Sequence, residues 1–151
     1  MTEPTIATEA KATTTNQNLA TQERLTEGIN SGNLSVMYDV FAPEVVDHDP
    51  APGQEQGPKG FEMFFTSLRN AFPDATITGD HIVCDKDNVA VAYTLTGTHR
   101  GEFLGVLATG KRISVRGMQI ARFENGMIAE RWGSTDELGI LKQLGVDPAS
   151  K

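Results

Sequence analysis

The sequence contains one cysteine, no long hydrophobic run and no excess of basic residues. Cys84 has no second cysteine with which to pair, so an intrachain disulfide and a disulfide-stapled secreted scaffold are excluded. No apolar segment approaches the roughly 20 residues that cross a bilayer, and the N-terminus lacks the basic-then-apolar pattern of a signal peptide. We therefore expect a cytoplasmic protein.

The charge balance is acidic, with 13 Lys and Arg against 20 Asp and Glu, a net charge of -7. Nucleic acids and anionic membranes bind concentrated positive charge, so neither is an expected partner. A length of 151 residues fits one domain. Residues 1–17 offer too little apolar surface to repay ordering, which predicts a flexible tail followed by a single domain over 18–151.

Helical patterns occupy the first half of that domain. Apolar residues at helical spacing predict a helix from Leu19 to a stop at Gly32, and a short second helix over Leu34–Phe41 that Pro43 ends. The segment VDHDPAPGQEQGPKG at 46–60 contains three prolines and three glycines, which predicts a long functional loop. A third helix is predicted over Pro58–Phe72.

The period then changes to that of strands. Four are predicted, and the last two are joined by a hairpin at Asn125-Gly126, a pair that tolerates positive φ. Ser134 and Glu137 form a capping box for a closing helix that ends at Gly145. Helices followed by antiparallel strands predict an α+β domain with N-terminal helices on a curved, mostly antiparallel sheet and a cavity at its open end. The predicted strands are Thr76–Cys84, 89–96, Ile113–Phe123 and Met127–Trp132.

Six short segments carry a resemblance to a known family. They are DHDP at 47–50, AFPD at 71–74, GTHRGEFLG at 97–105, ATGKR at 108–112, ENGMIAERW at 124–132 and DELGILKQLG at 136–145. Over about residues 19–145 the chain resembles the SnoaL-like polyketide cyclase (ester cyclase) branch of the nuclear-transport-factor-2-like superfamily. The resemblance implies a cystatin-like cone with one apolar pocket, and a superfamily of this kind hosts several activities.

The cyclases of that family close a ring by an intramolecular aldol reaction, without metal or cofactor. The resemblance places their catalytic aspartate at Gly133 and their histidine at Gln119, so both catalytic residue types are replaced here. We expect a cofactor-independent enzyme that performs acid–base chemistry on a small apolar carbonyl compound. The alternative is a non-catalytic protein that binds a hydrophobic small molecule in the same cavity.

Five polar residues are candidates for catalysis: Glu130, Asp136, His48, His99 and Gln119. A carboxylate in an apolar pocket is a stronger base, which suits Glu130, although it is equally read as a surface partner of Arg131 or Arg122. Asp136 could instead stabilise the N-terminal end of the closing helix, where backbone N–H groups and the helix dipole favour a carboxylate.

The two histidines and the glutamine each have an alternative role as well. His48 could cover the mouth of the pocket as acid or base, or be a solvated loop residue. His99 could reach the pocket or bond to the following turn. Gln119 can donate a hydrogen bond to a developing oxyanion but cannot act as a base.

Five large side chains are candidate pocket walls, although each taken alone is more often part of a core. They are Phe61, Phe65, Tyr93, Met118 and Trp132. We expect no metal, because the three histidines lack ligand spacing, and no nucleotide cofactor, because no glycine-rich phosphate loop follows a strand. Met118, Ile120 and Arg122 lie on the strand face opposite Gln119, where a homodimer contact is expected.

Overall fold

The computed structural model describes residues 3–147, and the side chains of residues 14–147. It has four α-helices and five strands in these residues: α1 (Glu3–Ser31), α2 (Met37–Val40), β1 (Phe41–Asp47), α3 (Pro58–Ala71), β2 (Thr76–Cys84), β3 (Asn88–Thr98), β4 (Arg112–Glu124), β5 (Met127–Thr135) and α4 (Glu137–Gln143). A 3-10 turn over Leu34–Val36 precedes α2. None of these helices combines the length and hydropathy that a membrane crossing requires.

The sheet has the order β1-β5-β4-β3-β2. Strands β2 to β5 form an antiparallel meander, and β1 pairs with β5 in parallel at one edge. Helices pack on one face of this curved, open sheet, so the predicted α+β architecture is confirmed. The Asn125-Gly126 hairpin is also confirmed, since both residues have positive φ (51° and 76°), as a type I′ turn requires.

Three element predictions differ from the structure. Helix α1 begins at Glu3, inside the segment predicted as a tail, because its Ala, Glu, Lys and Gln residues favour helix; the flexibility of that segment stays a prediction. The short second helix ends at Val40, and β1 follows. Pro43 fits β1 because an edge strand tolerates a missing N–H. Ser134 and Thr135 belong to β5, so the helix cap is Asp136, whose side chain accepts from Gly139 N.

The core lies between the helices and one face of the sheet, which we call the inner face. Its members in β3 and β4 include Val91, Tyr93, Leu95, Val115 and Ala121, all buried. The opposite face, the outer face, exposes Met118 and Ile120. Phe65 and Ile77 pack against both halves of the core and join them.

A β-bulge decides which residues of β5 reach the inner face. Phe123 pairs with Ile128, but the next pair is Arg122 with Glu130, so β5 holds one extra residue. A one-residue shift moves every following side chain to the other face of a strand. Beyond the bulge, Arg131 and Gly133 therefore lie on the inner face with Gln119, and Glu130 and Trp132 lie on the outer face.

Candidate active site

A polar cluster lies at the inner face where β1 ends, and Asp47 is its centre. The Asp47 carboxylate accepts from Arg131 Nη1 (3.1 Å) and from the backbone N of Asp49 (3.0 Å) through Oδ1, and from Gln54 Nε2 (3.0 Å) through Oδ2. Only 8% of the Asp47 side chain and 17% of the Arg131 side chain are exposed. Asp47 therefore neutralises a nearly buried cation and fixes the start of the loop that follows β1.

The arginine of this cluster lies against Gly133. Arg131 Nε donates to Gln119 Oε1 (3.1 Å), and Gln119 pairs with Gly133 across the β4–β5 ladder. A Cβ at Gly133 would overlap the Arg131 guanidinium. The space beside the Gly133 Cα is thus taken by the arginine, and glycine is the residue that allows it.

Two hydrogen-bond donors remain available beside Gly133. Within residues 14–147, neither Arg131 Nη2 nor Gln119 Nε2 has a hydrogen-bond partner, since the bonds above use other atoms. Because Gln119 accepts from Arg131 with its oxygen, its amide nitrogen is directed away from that bond. A cationic and a neutral N–H donor at one place suit an oxygen that becomes negative during a reaction.

The loop after β1 adds a second carboxylate. Asp49 Oδ2 accepts from the backbone N of Gly133 (2.9 Å), after His48 N has bonded to Arg131 O (2.9 Å). On the edge of β5 that faces β1, the backbone of the β1 segment bonds as far as Arg131, and the Asp49 side chain makes the next bond, to Gly133. Its own backbone N is held by Asp47. The loop thus places the Asp49 carboxylate at the edge of β5, bonded to Gly133.

Glu130 and His48, both predicted as catalytic, do come together, but on the outer face. Glu130 Oε2 lies 2.8 Å from His48 Nε2, and its Oε1 accepts from Arg122 Nε at 2.7 Å. The His48 ring stacks on Trp132 at 4.7 Å between centroids. Glu130 is thus a surface partner of Arg122, which is the alternative role predicted from the sequence. The prediction that Glu130 lies in an apolar pocket is wrong, because the bulge turns its side chain to the outer face.

The charge state of Glu130 follows from these contacts. The hydrogen bond from His48 and then that from Arg122 hold the pKa of its carboxyl below the ordinary value. A lowered pKa weakens a carboxylate as a base, the reverse of the effect that desolvation in a pocket would have. Glu130 is therefore a poorer proton acceptor than a free glutamate.

Asp136 and His99 occupy structural positions. Asp136 Oδ1 accepts from Gly139 N at 2.8 Å and caps α4. His99 is fully buried, and its Nδ1 accepts from the backbone N of Thr109 at 3.1 Å. This bond to the following turn places the ring proton of neutral His99 on Nε2, which has no partner among the described residues.

The five predicted wall residues separate into two groups. Phe61 stacks on Phe41 at 3.9 Å and is core, and Tyr93 is buried with its hydroxyl 2.6 Å from Thr135 Oγ1. Phe65 is partly buried between the two halves of the core. Met118 and Trp132 lie on the outer face, 64% and 37% exposed, so they face away from any cavity under the helices.

An apolar groove of about 380 Å³ lies between α3 and two loops. Its α3 wall is Gly60, Met63, Phe64, Ser67 and Leu68, and its loop walls are 51–54 and 102–104. Gln54 belongs both to this groove and to the Asp47 cluster, because its amide donates to Asp47. The loop after β1 therefore borders both the groove and the Asp47 cluster, to which Arg131 belongs. Within the described residues, no group of three or more His, Cys, Asp or Glu side chains is placed to hold a metal ion.

Sequence reasoning did not single out Asp47, Asp49, Arg131 or the groove residues of α3. A signal existed for the first two, since DHDP at 47–50 is one of the segments that carry the family resemblance. The sequence suggests Arg131 only as an ion-pair partner of Glu130. Its role depends on the bulge, for which the sequence of β5 offers no marker.

Comparison with known proteins agrees with this fold. The family model described as SnoaL-like polyketide cyclase matches residues 19–144. Aklanonic acid methyl ester cyclase DauD from Streptomyces sp. (strain C5) is 27% identical over an alignment of 129 residues that covers 81% of this chain and 78% of DauD.

Two solved structures illustrate the structural likeness. TsrD from Streptomyces laurentii superposes with a TM-score of 0.81 at 27% identity, covering 87% of this chain and 97% of TsrD. Wild-type IdmH from Streptomyces antibioticus has a TM-score of 0.77 at 32% identity, covering 86% of this chain and 99% of IdmH.

Proposed function

We propose that this chain, which belongs to the SnoaL-like polyketide cyclase family, closes a ring in an apolar carbonyl compound by acid–base chemistry beside Gly133. The observation that carries the proposal is the pair of free donors there, Arg131 Nη2 and Gln119 Nε2. The relatives DauD and DnrD, both aklanonic acid methyl ester cyclases, suggest a polyketide ester as the substrate class.

An aldol ring closure needs the features that these donors supply. A base removes a proton from the carbon beside one carbonyl, and the resulting enolate carbon bonds to a second carbonyl carbon in the same molecule. Negative charge is carried by the enolate oxygen and then by the new alkoxide oxygen, which takes the proton. Preorganised N–H donors stabilise such oxygens, and loss of one donor typically costs about 100- to 1,000-fold in rate. No cofactor is needed for this sequence of steps.

The apolar groove supports the choice of substrate. Its walls include Met63, Phe64 and Phe103, which suit a large hydrophobic skeleton, and Gln54 connects the loop wall with the polar cluster. A substrate seated against α3 would extend along this loop toward Gly133. Binding energy from the apolar skeleton would then orient the reacting carbonyl groups.

A second function is a hydrophobic-ligand carrier of the same fold. It is favoured by one observation, that neither Gly133 nor Gln119 can act as acid or base at the positions where the family's cyclases have their catalytic pair. Such a protein would bind the ligand in the groove and release it unchanged.

The test uses aklanonic acid methyl ester, the compound in the names of DauD and DnrD, as the probe ester. Ring closure is followed by chromatography with mass spectrometry, because an aldol cyclisation changes retention without changing mass. Arg131→Lys keeps the positive charge for Asp47 but removes the planar donor over Gly133, and we expect at least about a 100-fold loss of kcat/KM. Gln119→Leu should also lose turnover.

The matched control is Arg122→Lys. Arg122 lies in the neighbouring rung of the same ladder and is likewise bonded to carboxylates, but it is on the outer face. It should keep turnover of the probe ester. Binding of the probe ester without conversion by the wild-type chain would instead support the carrier, and absence of both would reject the proposal.

We also propose that the outer face mediates a homodimer. Met118 and Ile120 are exposed there at 64% and 46%, two residues apart on β4. Exposed apolar side chains that repeat on one face of a sheet are suited to an isologous contact. Light scattering coupled to size-exclusion chromatography should give twice the monomer mass at micromolar concentration, and Met118→Lys should give the monomer; a wild-type monomer would contradict the proposal.

A further inference from the structure

We infer that Asp49, delivered by the loop after β1, is the catalytic base that replaces the absent aspartate of the last strand. The inference rests on the proposed function and names the residue that takes the proton from the carbon acid. The family resemblance places Gly133 where the family's cyclases have their carboxylate. The fold brings another carboxylate to that same glycine.

The other acidic side chains near the inner face are occupied. Both oxygens of Asp47 accept hydrogen bonds, and one of these comes from the guanidinium that Asp47 neutralises. Both oxygens of Glu130 are bonded, and this side chain lies on the wrong face of the sheet. Asp136 is committed to the cap of α4. Asp47 and Glu130 therefore have no unpartnered oxygen that could approach a substrate.

Asp49 differs from Asp47 and Glu130 in having an oxygen without a hydrogen bond, and it differs from Asp136 in being bonded to Gly133 and not to the start of α4. Its Oδ2 is held by Gly133 N at 2.9 Å, while Oδ1 has no hydrogen-bond partner within residues 14–147. In the same residues no cation lies within ion-pair distance of Asp49, whereas Arg131 is paired with Asp47. One oxygen is thus fixed to the backbone and the other is left to accept a proton.

The position of the carboxylate fits the reaction. Gly133 N is one bond from the Cα at which the resemblance places the aspartate of the family's cyclases, so Asp49 reaches the same locality from the loop after β1. Gln119 faces Gly133 across the ladder, and Arg131 covers it. The carboxylate and the two donors thus share Gly133 as a neighbour, and enolisation requires a base and oxyanion donors near the same substrate atoms.

The loop also couples this base to the groove. Asp49 N is fixed by Asp47 Oδ1, and Gln54 returns to Asp47 Oδ2 while its oxygen accepts from Ala51 N at 3.0 Å. Ala51 and Gln54 are walls of the groove. A substrate in the groove therefore contacts the same short loop that carries the base.

The proton balance closes without any co-reactant. Asp49 Oδ1 takes the proton from the carbon, and the electron pair of the C–H bond forms the enolate, whose oxygen is stabilised by Arg131 and Gln119. The enolate carbon forms the new C–C bond as the π bond of the second carbonyl opens. The resulting alkoxide then recovers the proton from Asp49, so substrate and product are isomers and the carboxylate is regenerated.

The decisive variant is Asp49→Asn. An amide oxygen still accepts from Gly133 N, so the loop stays in place, but the base is lost and kcat for the probe ester should fall about 100-fold or more with little change in KM. The matched control is Asp85→Asn, because Asp85 also accepts backbone N–H groups in a loop (2.8 and 2.9 Å) and lies away from this site. It should keep wild-type turnover.

A second measurement separates loss of the base from displacement of the loop. Para-nitrophenolate mimics an enolate, and its absorbance reports binding. Removing the negative charge of Asp49 should tighten its binding about fivefold or more, the bulk-water limit for two unit charges about 4 Å apart. Unchanged or weaker binding by Asp49→Asn would overturn the inference even if turnover were lost.

The outcomes also distinguish this inference from the proposed function. Wild-type turnover in Asp49→Asn, together with loss of turnover in Arg131→Lys, would overturn the base assignment and leave the ring closure standing. Wild-type turnover in both variants would overturn both. Loss of turnover in both, with tighter phenolate binding by Asp49→Asn, supports both.

Discussion

Removal of the Asp47 carboxylate is the perturbation whose effect on stability the structure defines best. Asp47→Ala deletes the acceptor for Arg131, Gln54 and Asp49 N at once and leaves the Arg131 guanidinium without its counter-charge. The two side chains are 8% and 17% exposed, so the pair is close to buried. Breaking a buried pair by removing one partner costs about 3–5 kcal/mol.

Residual exposure of Arg131 argues for the lower end of that range. We expect a loss of about 3 kcal/mol in the free energy of unfolding, which for a chain of this length corresponds to a fall in Tm of roughly 6–12 °C. Urea unfolding followed by far-ultraviolet circular dichroism measures it, with an unchanged m value showing that the denatured state is not altered.

The control for this prediction is Glu130→Gln. Glu130 also pairs with an arginine and with a residue of the β1 end, but on the exposed outer face, where solvent screens the interaction. Its loss should be clearly smaller than that of Asp47→Ala. The reasoning is refuted if Asp47→Ala costs less than about 1 kcal/mol, the range of exposed pairs, or no more than Glu130→Gln.

Three further predictions concern single side chains. Hydrogen bonds from Thr98 N and from the Thr98 hydroxyl hold the pKa of Asp74 below its ordinary value. The ionised Asp74 carboxylate therefore stabilises the folded state above its ordinary pKa, and this stabilisation is lost as the pH falls through the folded-state pKa. Asp74→Asn should flatten the acid side of a plot of Tm against pH, and an unchanged slope would contradict this. Asp136→Ala should cost about 1 kcal/mol of stability through loss of the α4 cap, yet keep turnover of the probe ester; lost turnover at retained fold would return Asp136 to the site. Gly117→Ala should cost about 1–3 kcal/mol, because the new Cβ meets the Tyr93 ring, which is fixed by its bond to Thr135, and an unchanged Tm would show that the ring can move.

The architecture could be predicted because its signals are local. Strand alternation in β3 and β4, the Asn-Gly turn and the apolar stripe of α3 each follow from neighbouring residues. Strand β1 could not be found in this way. Its partner β5 lies about 84 residues along the chain, and Pro43 makes the segment look like the end of a helix followed by a loop.

The faces of the last strand could not be predicted, because one residue of bulge decides them. With regular pairing from the Asn125-Gly126 turn, Glu130 would lie opposite Ala121 on the inner face. The bulge at Phe123 places Arg131 there instead. Gln119 lies on the inner face because β4 itself is regular, and its catalytic role stays a prediction. Asp49 could not be found, because its contact with Gly133 depends on where the chain leaves the sheet.

The central claim is that the reaction takes place at Gly133 on the inner face and not at the Glu130–His48 pair on the outer face. The most direct measurement is kcat/KM for the probe ester in Arg131→Lys and Arg122→Lys, two variants of neighbouring rungs that differ in the face they alter. We expect a loss of at least about 100-fold in Arg131→Lys and wild-type turnover in Arg122→Lys. Full activity of Arg131→Lys with loss of activity in Arg122→Lys would contradict it.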